Sequence, residues 1–318
     1  MNEHFHLSPN QRAWRRFRRN RAAAIALLIL LVLMAGTLLW PICKTAPAAA
    51  VLPKAMTYLP NATSDALFAP PGWEHWFGTD AHGRDLLSRV CHGARISLLV
   101  GLVGATVSLV IGVLWGAVAG YGGGRLDSVM MRIVDVLYAM PTVVFVIVLV
   151  TAINAKLEKW QSGPHPLSDE SAHWLQMAGL FAGLGAVSWL TMARIVRGQV
   201  QSLRRRPFID ASLVLGASHA RIIWRHILPN VYGVIIVYLT LMIPSIILYE
   251  SFLSYLGLGI QPPQASLGSL MASGAEQINP IRIYWWLIVF PGAALALTLM
   301  ALTFVGDGLR DAYDPQAD

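Results

Sequence analysis

The segment RRRPFIDASLVLGASHARIIWRHILPN, residues 204–230, concentrates charged and polar side chains in a chain that is otherwise apolar. It carries five arginines and two histidines, and long apolar runs lie on both sides of it. Pro207 stands at a favoured first position of a helix, and Gly216 at a favoured position just past its end. Asp210 would lie in the first turn, where its charge complements the helix dipole. The pattern predicts a short helix, 207–215, outside the membrane.

The apolar content of this predicted helix bears on what it contacts. Too many of its residues are large and apolar for a solvated turn: Phe208, Ile209, Leu213, Val214 and Leu215. Two interpretations stay open from the residues alone. The side chains pack against the protein's own loops, or they form a docking surface for a partner.

Catalytic and metal-binding patterns are missing from the sequence. No GK dipeptide occurs, so the chain has no GxxxxGK[ST] phosphate loop and no ATPase site of that kind. No HExxH pair occurs, and all nine histidines lie outside the apolar runs. The loop at 73–85 contains His75, Asp80 and His82, but their spacing matches no ligand rule. We therefore predict solvated loop residues there and no metal site.

Six apolar runs are long enough to cross a bilayer as helices, for which about 20 residues suffice. They are residues 22–42, 96–120, 133–154, 174–193, 231–255 and 284–306. Asp135 and Glu250 are the only charged residues within them. A lone carboxylate in a span is a functional hypothesis by default, so Pro244, Ser245 and Glu250 are candidates for lining a solute pathway. The alternative for Glu250 is contact with water or with a partner subunit near the interface.

Composition supports a bundle of membrane helices. Only 13% of the 318 residues are charged, against about 25% in soluble domains, and the mean hydropathy is +0.54. The net charge of +7 comes mostly from arginines in short segments between apolar runs, as expected for topology signals and not for a nucleic-acid-binding face. Cys43 and Cys91 imply no disulfide framework. The run 22–42 is longer than the signal-peptide core of about 7–15 residues, so we expect a retained span.

Small residues and prolines are placed where they can shape the bundle. Gly112, Gly116 and Gly120 recur every four residues in the second run, and Gly179 and Gly183 do so in the fourth. Such ridges let helix backbones approach closely inside a membrane, and we expect them to pack within the molecule. Prolines also interrupt three of the runs, at Pro141, Pro244 and Pro291. Kinks are expected there, since each proline frees a backbone carbonyl.

The stretch FIDASLVLGASHARIIWRHILPN resembles the EAA signature of the membrane subunits of bacterial ABC importers. That signature is an acidic-Ala-Ala triplet, a glycine four residues after it and a Leu-Pro pair further on. Asp210-Ala211-Ser212, Gly216 and Leu228-Pro229 occupy these positions. Asp210 replaces the usual Glu and Ser212 the second Ala, and both changes in size or polarity are small.

Further stretches resemble the oligopeptide/dipeptide permease branch, and the likeness runs from about residue 12 to residue 315. They are FGTDAHGRDLLSR (77–89), GARISLLVG (93–101), GYGGGRLDSVMMRIVD (120–135), SFLSYLGLGIQPP (251–263) and GDGLRDAYDP (306–315). The arginine cluster before the first span is similar to that of the second of the two permeases in such importers.

The resemblance implies an all-α membrane protein with six transmembrane helices, a type I ABC importer transmembrane domain with a cytoplasmic coupling helix. That helix would contact an ATPase subunit through Pro207, Phe208, Ile209, Asp210, Ala211, Ser212, Leu213 and Gly216. The implied partners are a second homologous permease, two ABC ATPase subunits, an extracytoplasmic substrate-binding protein and the lipid bilayer of a bacterial inner membrane. The chain itself would be no enzyme and would hold no cofactor, because ATP and Mg²⁺ bind to the ATPase subunits.

The implied solute is an oligopeptide or dipeptide, delivered by the binding protein. Nickel, glutathione or another small solute stays open, because permeases for these solutes look alike at this level. A secondary transporter is the alternative from another class. It should show internal repeats and intramembrane charges for coupling ions, and the sequence shows no convincing repeat.

Lysine and arginine counts predict the orientation. With the N-terminus inside, sixteen of the 24 fall in cytoplasmic segments and eight in outer ones, which places both termini in the cytoplasm. The predicted layout is a cytoplasmic arginine-rich N-terminus at 1–21, a first helix at 22–42, an extracytoplasmic loop at 43–95, a permease core at 96–306 that contains a cytoplasmic EAA loop at 194–230, and a cytoplasmic tail at 307–318.

Cysteine labelling tests this orientation. In a background without Cys43 and Cys91, Pro60→Cys and His165→Cys should react with a membrane-impermeant maleimide in sealed cells. Arg205→Cys should react only after the cells are opened. Labelling of residue 205 from outside would overturn the orientation, and with it the docking role of residues 204–230.

Overall fold

The computed structural model describes residues 9–41, 53–163, 168–279 and 281–313. Its α-helices are α1 Pro9–Arg19, α2 Arg21–Leu39, α3 Leu86–Gly122, α4 Gly124–Ala139, α5 Thr142–Gln161, α6 Asp169–Arg204, α7 Pro207–Val214, α8 His219–Ile222, α9 Leu228–Tyr255, α10 Leu267–Glu276 and α11 Trp286–Tyr313. A 3₁₀-helix spans Lys54–Met56, and a π-helix spans Ile223–Ile227. Within the described ranges no β-strand forms, and the prediction of an all-α protein is confirmed.

Five helical stretches in the described ranges are long and apolar enough to cross a membrane. Four lie in α2, α3, α6 and α11, and the fifth, His219–Tyr255, runs through α8, the π-helix and α9. α4 and α5 pass the same test as a pair, but they are bent by 91° at the break between them. Counting that pair as one span gives up to six. The predicted number of spans agrees with this range.

The third predicted span, 133–154, is not one continuous helix. α4 ends at Ala139 and α5 begins at Thr142, so the break lies at Pro141. Met140, just before the proline, is extended, with φ −80° and ψ 138°. A proline ring clashes with a helical residue ahead of it, and here the result is a break where the sequence predicts only a kink.

Several helices extend beyond the apolar runs that predict them, and α11 does so into the predicted cytoplasmic tail, as far as Tyr313. α3 begins at Leu86, so residues 86–95 of the predicted extracytoplasmic loop are helical. α6 continues past residue 193 to Arg204. Hydropathy identifies only the part of a helix that can lie in a bilayer. The backbone hydrogen bonds of the same helix continue into polar sequence, so the helix is longer than the apolar run.

The chain forms two compact units. The first contains the described parts of Met1–Asn20, Leu102–Ile246 and Gly306–Asp318. Its central apolar cluster, called the first-unit core below, consists of Val113, Ala117, Met192, Val196, Val200, Ile209, Ile222, Ile227, Val231 and Ile235. These side chains come from α3, α6, α7, α8, the π-helix and α9, so the core joins α3 to the elements that follow one another from α6 to α9.

The second unit contains the described parts of Arg21–Gly101 and Ile247–Val305. Its core packs the start of α3 against α10 and the start of α11, through Leu86, Val90, Ala94, Ala265, Leu267, Leu270, Trp286 and Leu287. The Trp286 indole donates a hydrogen bond to the carbonyl oxygen of Thr79 at 3.2 Å. The Phe77 and Phe290 rings stack with centroids 4.0 Å apart. These contacts hold the loop before α3 against α11.

The glycine ridge of α3 packs closely on α6 within the first unit. A Cβ atom added at Gly112 would lie 2.6 Å from the Cβ of Met192, and one added at Gly116 would lie 2.5 Å from the carbonyl oxygen of Ala193. A Cβ at Gly120 would lie 2.8 Å from the carbonyl oxygen of Arg197. These distances are too short for real contacts, so the ridge allows a backbone approach that no larger residue permits.

Substitution of the middle glycine of this ridge tests the packing. We expect Gly116→Ala to lower the free energy of unfolding by about 1–3 kcal/mol, because the added methyl group meets backbone atoms of α6 that cannot move aside cheaply. Gly198→Ala is the matched control: it lies in α6, is exposed and has no atom within 4 Å of an added Cβ. It should be neutral or stabilise by up to about 1 kcal/mol. Equal thermal or denaturant midpoints for the two purified variants would contradict the packing.

Candidate functional site

The helix predicted in the 204–230 segment forms as α7. Arg206, its N-cap residue, is extended at φ −85° and ψ 141°, a conformation that a following proline favours. Pro207 occupies the first turn, where no N–H is required. Asp210 lies in the same turn. The helix ends at Val214, one residue before the predicted end.

Gly216 terminates α7 in the left-handed conformation, with φ 80°. Its N–H donates to the carbonyl oxygen of Leu213 at 2.9 Å, and the N–H of Ala217 donates to that of Ser212 at 3.0 Å. These two bonds form a Schellman motif, in which a residue just past the helix takes a positive φ. The predicted role of Gly216 as a helix stop is confirmed.

Ile209 attaches α7 to the rest of the first unit. Its side chain is fully buried, with 0% exposure, and belongs to the first-unit core with Val200 of α6, Ile222 of α8 and Ile227 of the π-helix. The interpretation of the apolar residues as packing on the protein's own chain therefore holds for this one residue.

The other large apolar side chains at 207–215 are exposed to different degrees. Val214 and Leu215 are 88% and 86% exposed, and Phe208 and Leu213 are 40% and 41% exposed. Of the remaining predicted contact residues, Pro207, Asp210 and Ala211 are exposed, while the Ser212 hydroxyl donates to the carbonyl oxygen of Phe208 at 2.8 Å. A contiguous exposed apolar patch marks an interaction site. α7 thus joins one buried anchor to an exposed apolar surface.

The backbone between α7 and α9 is held by specific bonds. The Ser218 side chain caps α8 by accepting from the N–H of Arg221 at 3.4 Å. The Tyr121 hydroxyl lies 2.8 Å from Nδ1 of His219, which ties α8 to the end of α3.

A π-helix leads from α8 into α9. Pro229 has no N–H with which to bond the carbonyl of Arg225, and its ring crowds that carbonyl. The wider π turn at Ile223–Ile227 lies directly before it. The Asn230 amide donates to the carbonyl oxygen of His226 at 2.6 Å and so satisfies a group near the irregularity. Short π segments within α-helices occur often at functional sites.

Ion pairs that the sequence did not predict join α4 to α6. The Asp127 carboxylate accepts from Nε of Arg197 at 2.5 Å, from its Nη2 at 2.6 Å and from the Gln201 amide at 2.9 Å. Asp135 accepts from the Arg194 guanidinium at 2.8 Å. The partners are 59 to 74 residues apart in the chain, so no local spacing pattern could have identified them.

The predicted pathway residues lie in different surroundings. Glu250 has 0% exposure, and its carboxylate accepts a hydrogen bond from the Ser254 hydroxyl at 2.6 Å. The Ser254 hydroxyl lies 3.5 Å from that of Ser266, at the N-cap of α10. Pro244 is buried, and Ser245 is exposed. Of the three candidates, only Ser245 faces an open surface of this chain.

Charged side chains in the loop at 73–85 form hydrogen-bonded pairs that the sequence does not predict. His75 Nδ1 lies 2.9 Å from the buried Asp85 carboxylate, and the Asp80 carboxylate accepts from Nε of Arg84 at 2.7 Å. The expectation of solvated residues is therefore wrong for His75 and Asp80, whereas His82 is exposed. In the described ranges no three His, Cys, Asp or Glu residues are grouped to hold a metal ion.

Several apolar helices of spanning length, with a short exposed helix between two of them, are the architecture of a multi-span membrane protein. The family model for binding-protein-dependent transport system inner membrane components matches residues 112–318. The model for the N-terminal transmembrane domain of oligopeptide transport permease C matches residues 8–71. The chain belongs to this family of inner-membrane components and is an integral membrane protein. The resemblance found in the sequence is confirmed.

Similar proteins cover nearly the whole chain. The oligopeptide transport system permease protein OppC of Escherichia coli strain K12 is 43% identical over 96% of this chain and 91% of its own length. The OppC protein of Haemophilus influenzae is 41% identical over 96% and 88%. The dipeptide transport system permease protein DppC of Bacillus subtilis is 41% identical over 98% and 87%.

A solved structure supports the fold. The MetNI methionine ABC transporter, in inward-facing conformations, contains a chain that matches with a TM-score of 0.50 at 17% identity. The match covers 71% of this chain and 97% of that one. The predicted ABC importer membrane-domain fold is confirmed at the level of architecture.

The anchor of α7 can be tested by truncating its buried side chain. Ile209→Ala leaves a cavity in the first-unit core, a change that typically costs about 2–5 kcal/mol. We expect the amides of residues 207–217 to exchange faster with deuterium in the purified protein, because the helix is attached there. Val214→Ala is the control, since this side chain is 88% exposed, and it should leave exchange unchanged. Identical exchange in the two variants would show that Ile209 is not the anchor.

Proposed function

We propose that this chain is one of two membrane-spanning permeases of an ATP-driven importer for peptides. The names of the similar proteins, oligopeptide and dipeptide transport system permeases, support the solute class. The observation that carries the coupling role is α7, a helix held by one buried side chain and otherwise presenting apolar residues outward. The partners in this proposal are a second permease, two ATPase subunits and a substrate-binding protein.

In this proposal, α7 binds in a groove on an ATPase subunit. Phe208, Leu213, Val214 and Leu215 would be buried there, and each fully buried side chain of this kind contributes about 1.5–3 kcal/mol. ATP and Mg²⁺ would bind to the ATPase subunits, and this chain would contribute no cofactor site. Closure of the ATPase subunits would displace α7, and the fixed link through Ser218 and the π-helix would pass the displacement to α9.

The proposed orientation puts both termini and residues 194–230 in the cytoplasm and residues 43–95 outside, with the permease core at 96–306. Support comes from the bias of lysine and arginine and from the exposed position of α7, which must reach a cytoplasmic ATPase.

For the solute pathway, Ser245 is the candidate that the geometry favours, because it is exposed on α9. Glu250 would not line the pathway itself. It would stabilise the end of α9 through its hydrogen bond with Ser254. A lone carboxylate in a membrane span carries a large burial cost, and contacts with serine hydroxyls offset part of it. Pro244, beside Ser245, would set the local course of the helix.

Two substitutions, one in α7 and one at the glycine that terminates it, test the coupling. A valine at a left-handed position costs about 1–2 kcal/mol, which is small against the packing of the whole protein but large for the turn at Gly216. We expect Gly216→Val to leave the complex assembled while ATP hydrolysis no longer drives transport. Asp210→Lys puts a positive charge in the first turn, which the helix dipole disfavours, and should weaken retention of the ATPase subunits. ATPase activity, transport and subunit retention in the purified complex are the measurements.

Matched controls separate coupling from general damage. Gly257 also has a positive φ, of 74°, is exposed and has no atom within 4 Å of an added Cβ. Gly257→Val thus carries similar strain outside α7 and should keep ATP hydrolysis coupled to transport. Asp210→Glu keeps the charge and should retain the ATPase subunits. Normal coupling and full subunit retention in both Gly216→Val and Asp210→Lys would show that α7 is not the transmission element.

A further inference from the structure

The N-terminal helix α1 has two chemically different faces. Ala13 and Phe17 are 4% and 3% exposed, so one face packs on protein. With about 3.6 residues per turn, Arg15, Arg18 and Arg19 fall on the opposite side of the helix. All three are exposed. We call these three residues, together with Trp14, the α1 basic face.

The charges of this face have no acidic partner in the part of the chain that the structure describes. None of the ion pairs found there involves Arg15, Arg18 or Arg19. Arginines three and four residues apart on a helix repel each other. A topology signal requires positive charge on one side of the membrane, but it does not require that the charges share one face of a helix.

The chain places this face at the surface of a bilayer. α1 ends at Arg19, and α2, which is long and apolar enough to span, begins at Arg21. Only Asn20 separates them, and one residue advances the chain by about 3.8 Å. Arg19 is therefore two residues, and Arg15 six residues, from the start of a helix that can span, so the face begins next to the end of that span.

An exposed aromatic side chain completes the face. Trp14 is 54% exposed, and its ring stacks on that of the buried Phe17 with centroids 5.8 Å apart. Tryptophan is enriched at the membrane–water interface, where an apolar ring and a polar N–H both find partners. This tryptophan lies beside three arginines that have no ion-pair partner in the described ranges, a combination suited to a membrane interface.

We propose that the α1 basic face binds the headgroup phosphates of anionic phospholipids, in the leaflet at which the first span begins. Guanidinium groups pair with phosphate oxygens through two parallel hydrogen bonds, and clusters of basic residues next to a span recognise anionic lipids. Trp14 enters the same interface and orients the helix. This surface is independent of α7 and of the proposed transport function.

The test compares lipid affinities of the intact, purified chain. Native mass spectrometry in detergent, with titration of phosphatidylglycerol and of phosphatidylcholine, gives the affinity of the tightest bound lipid. Each arginine near an anionic surface contributes about a five-fold gain in affinity. We expect R15Q/R18Q/R19Q to weaken phosphatidylglycerol binding on the order of a hundred-fold and to leave phosphatidylcholine binding unchanged. R15K/R18K/R19K keeps the charge and should retain most of the affinity.

A second triple variant controls for net charge. Arg125, Arg205 and Arg225 are also exposed, but they are scattered over separate elements. R125Q/R205Q/R225Q should bind phosphatidylglycerol as tightly as the unmodified chain. If the triple variant in α1 fails to insert, the single change Arg18→Gln replaces it in the test. We expect this variant to bind phosphatidylglycerol about five-fold more weakly.

Three results would overturn the proposal. One is unchanged phosphatidylglycerol affinity in R15Q/R18Q/R19Q or in a folded Arg18→Gln protein. Another is an equal loss in R125Q/R205Q/R225Q, since binding would then follow net charge alone. The third is unchanged lipid affinity with loss of a partner subunit from the complex, which would make a protein the occupant of this face.

Discussion

Close contact between α3 and α6 is the constraint on which the rest of the first unit depends. Gly112, Gly116 and Gly120 leave no room for a Cβ atom against α6, so the two backbones meet directly. Apolar helices gain little by association in lipid unless they pack closely. Because the backbones meet, Val113 and Ala117 join the side chains of α6 in one core. That core is the surface on which Ile209 is buried.

The position of α6 also determines how charge is tolerated on α4. Asp127 and Asp135 lie on α4, and their partners Arg197 and Arg194 lie on α6. An isolated carboxylate is expensive near a bilayer, and removal of one partner from a desolvated pair leaves the other uncompensated. Two carboxylates and two guanidinium groups are paired here, so α4 can lie along α6. The break at Pro141 then lets α5 leave in a different direction.

The sequence predicts those features that depend on neighbouring residues. The bounds of α7 follow from Pro207 and Gly216, because a proline and a left-handed glycine act on the turn that contains them. The spans follow from apolar runs of sufficient length. The break at Pro141 has a local signal as well, but whether a proline bends or interrupts a helix depends on what satisfies the freed carbonyls, and that is a matter of packing.

Features that depend on distant residues could not be predicted. Sequence spacing gives no sign that Arg197 bonds Asp127, because the pairing follows from the approach of α4 and α6. Likewise, Phe208 and Ile209 are adjacent apolar residues of one helix, yet one is 40% exposed and the other fully buried. Their difference arises because only Ile209 points toward the first-unit core. A hydrophobic pattern identifies the set of residues that contact something, but the tertiary fold decides which contact each one makes.

This division of roles within α7 bears on how the proposed coupling would work. A helix buried along its whole length could not present a docking surface, and one with no buried side chain would pass little force to its own chain. Ile209 provides the attachment, and Val214 and Leu215 are left for a partner. The turn that follows is fixed by the bonds from Gly216 and Ala217, so it has little freedom to absorb a displacement. On the proposed function, movement of a docked ATPase subunit would therefore reach the π-helix and α9 through a short and constrained backbone.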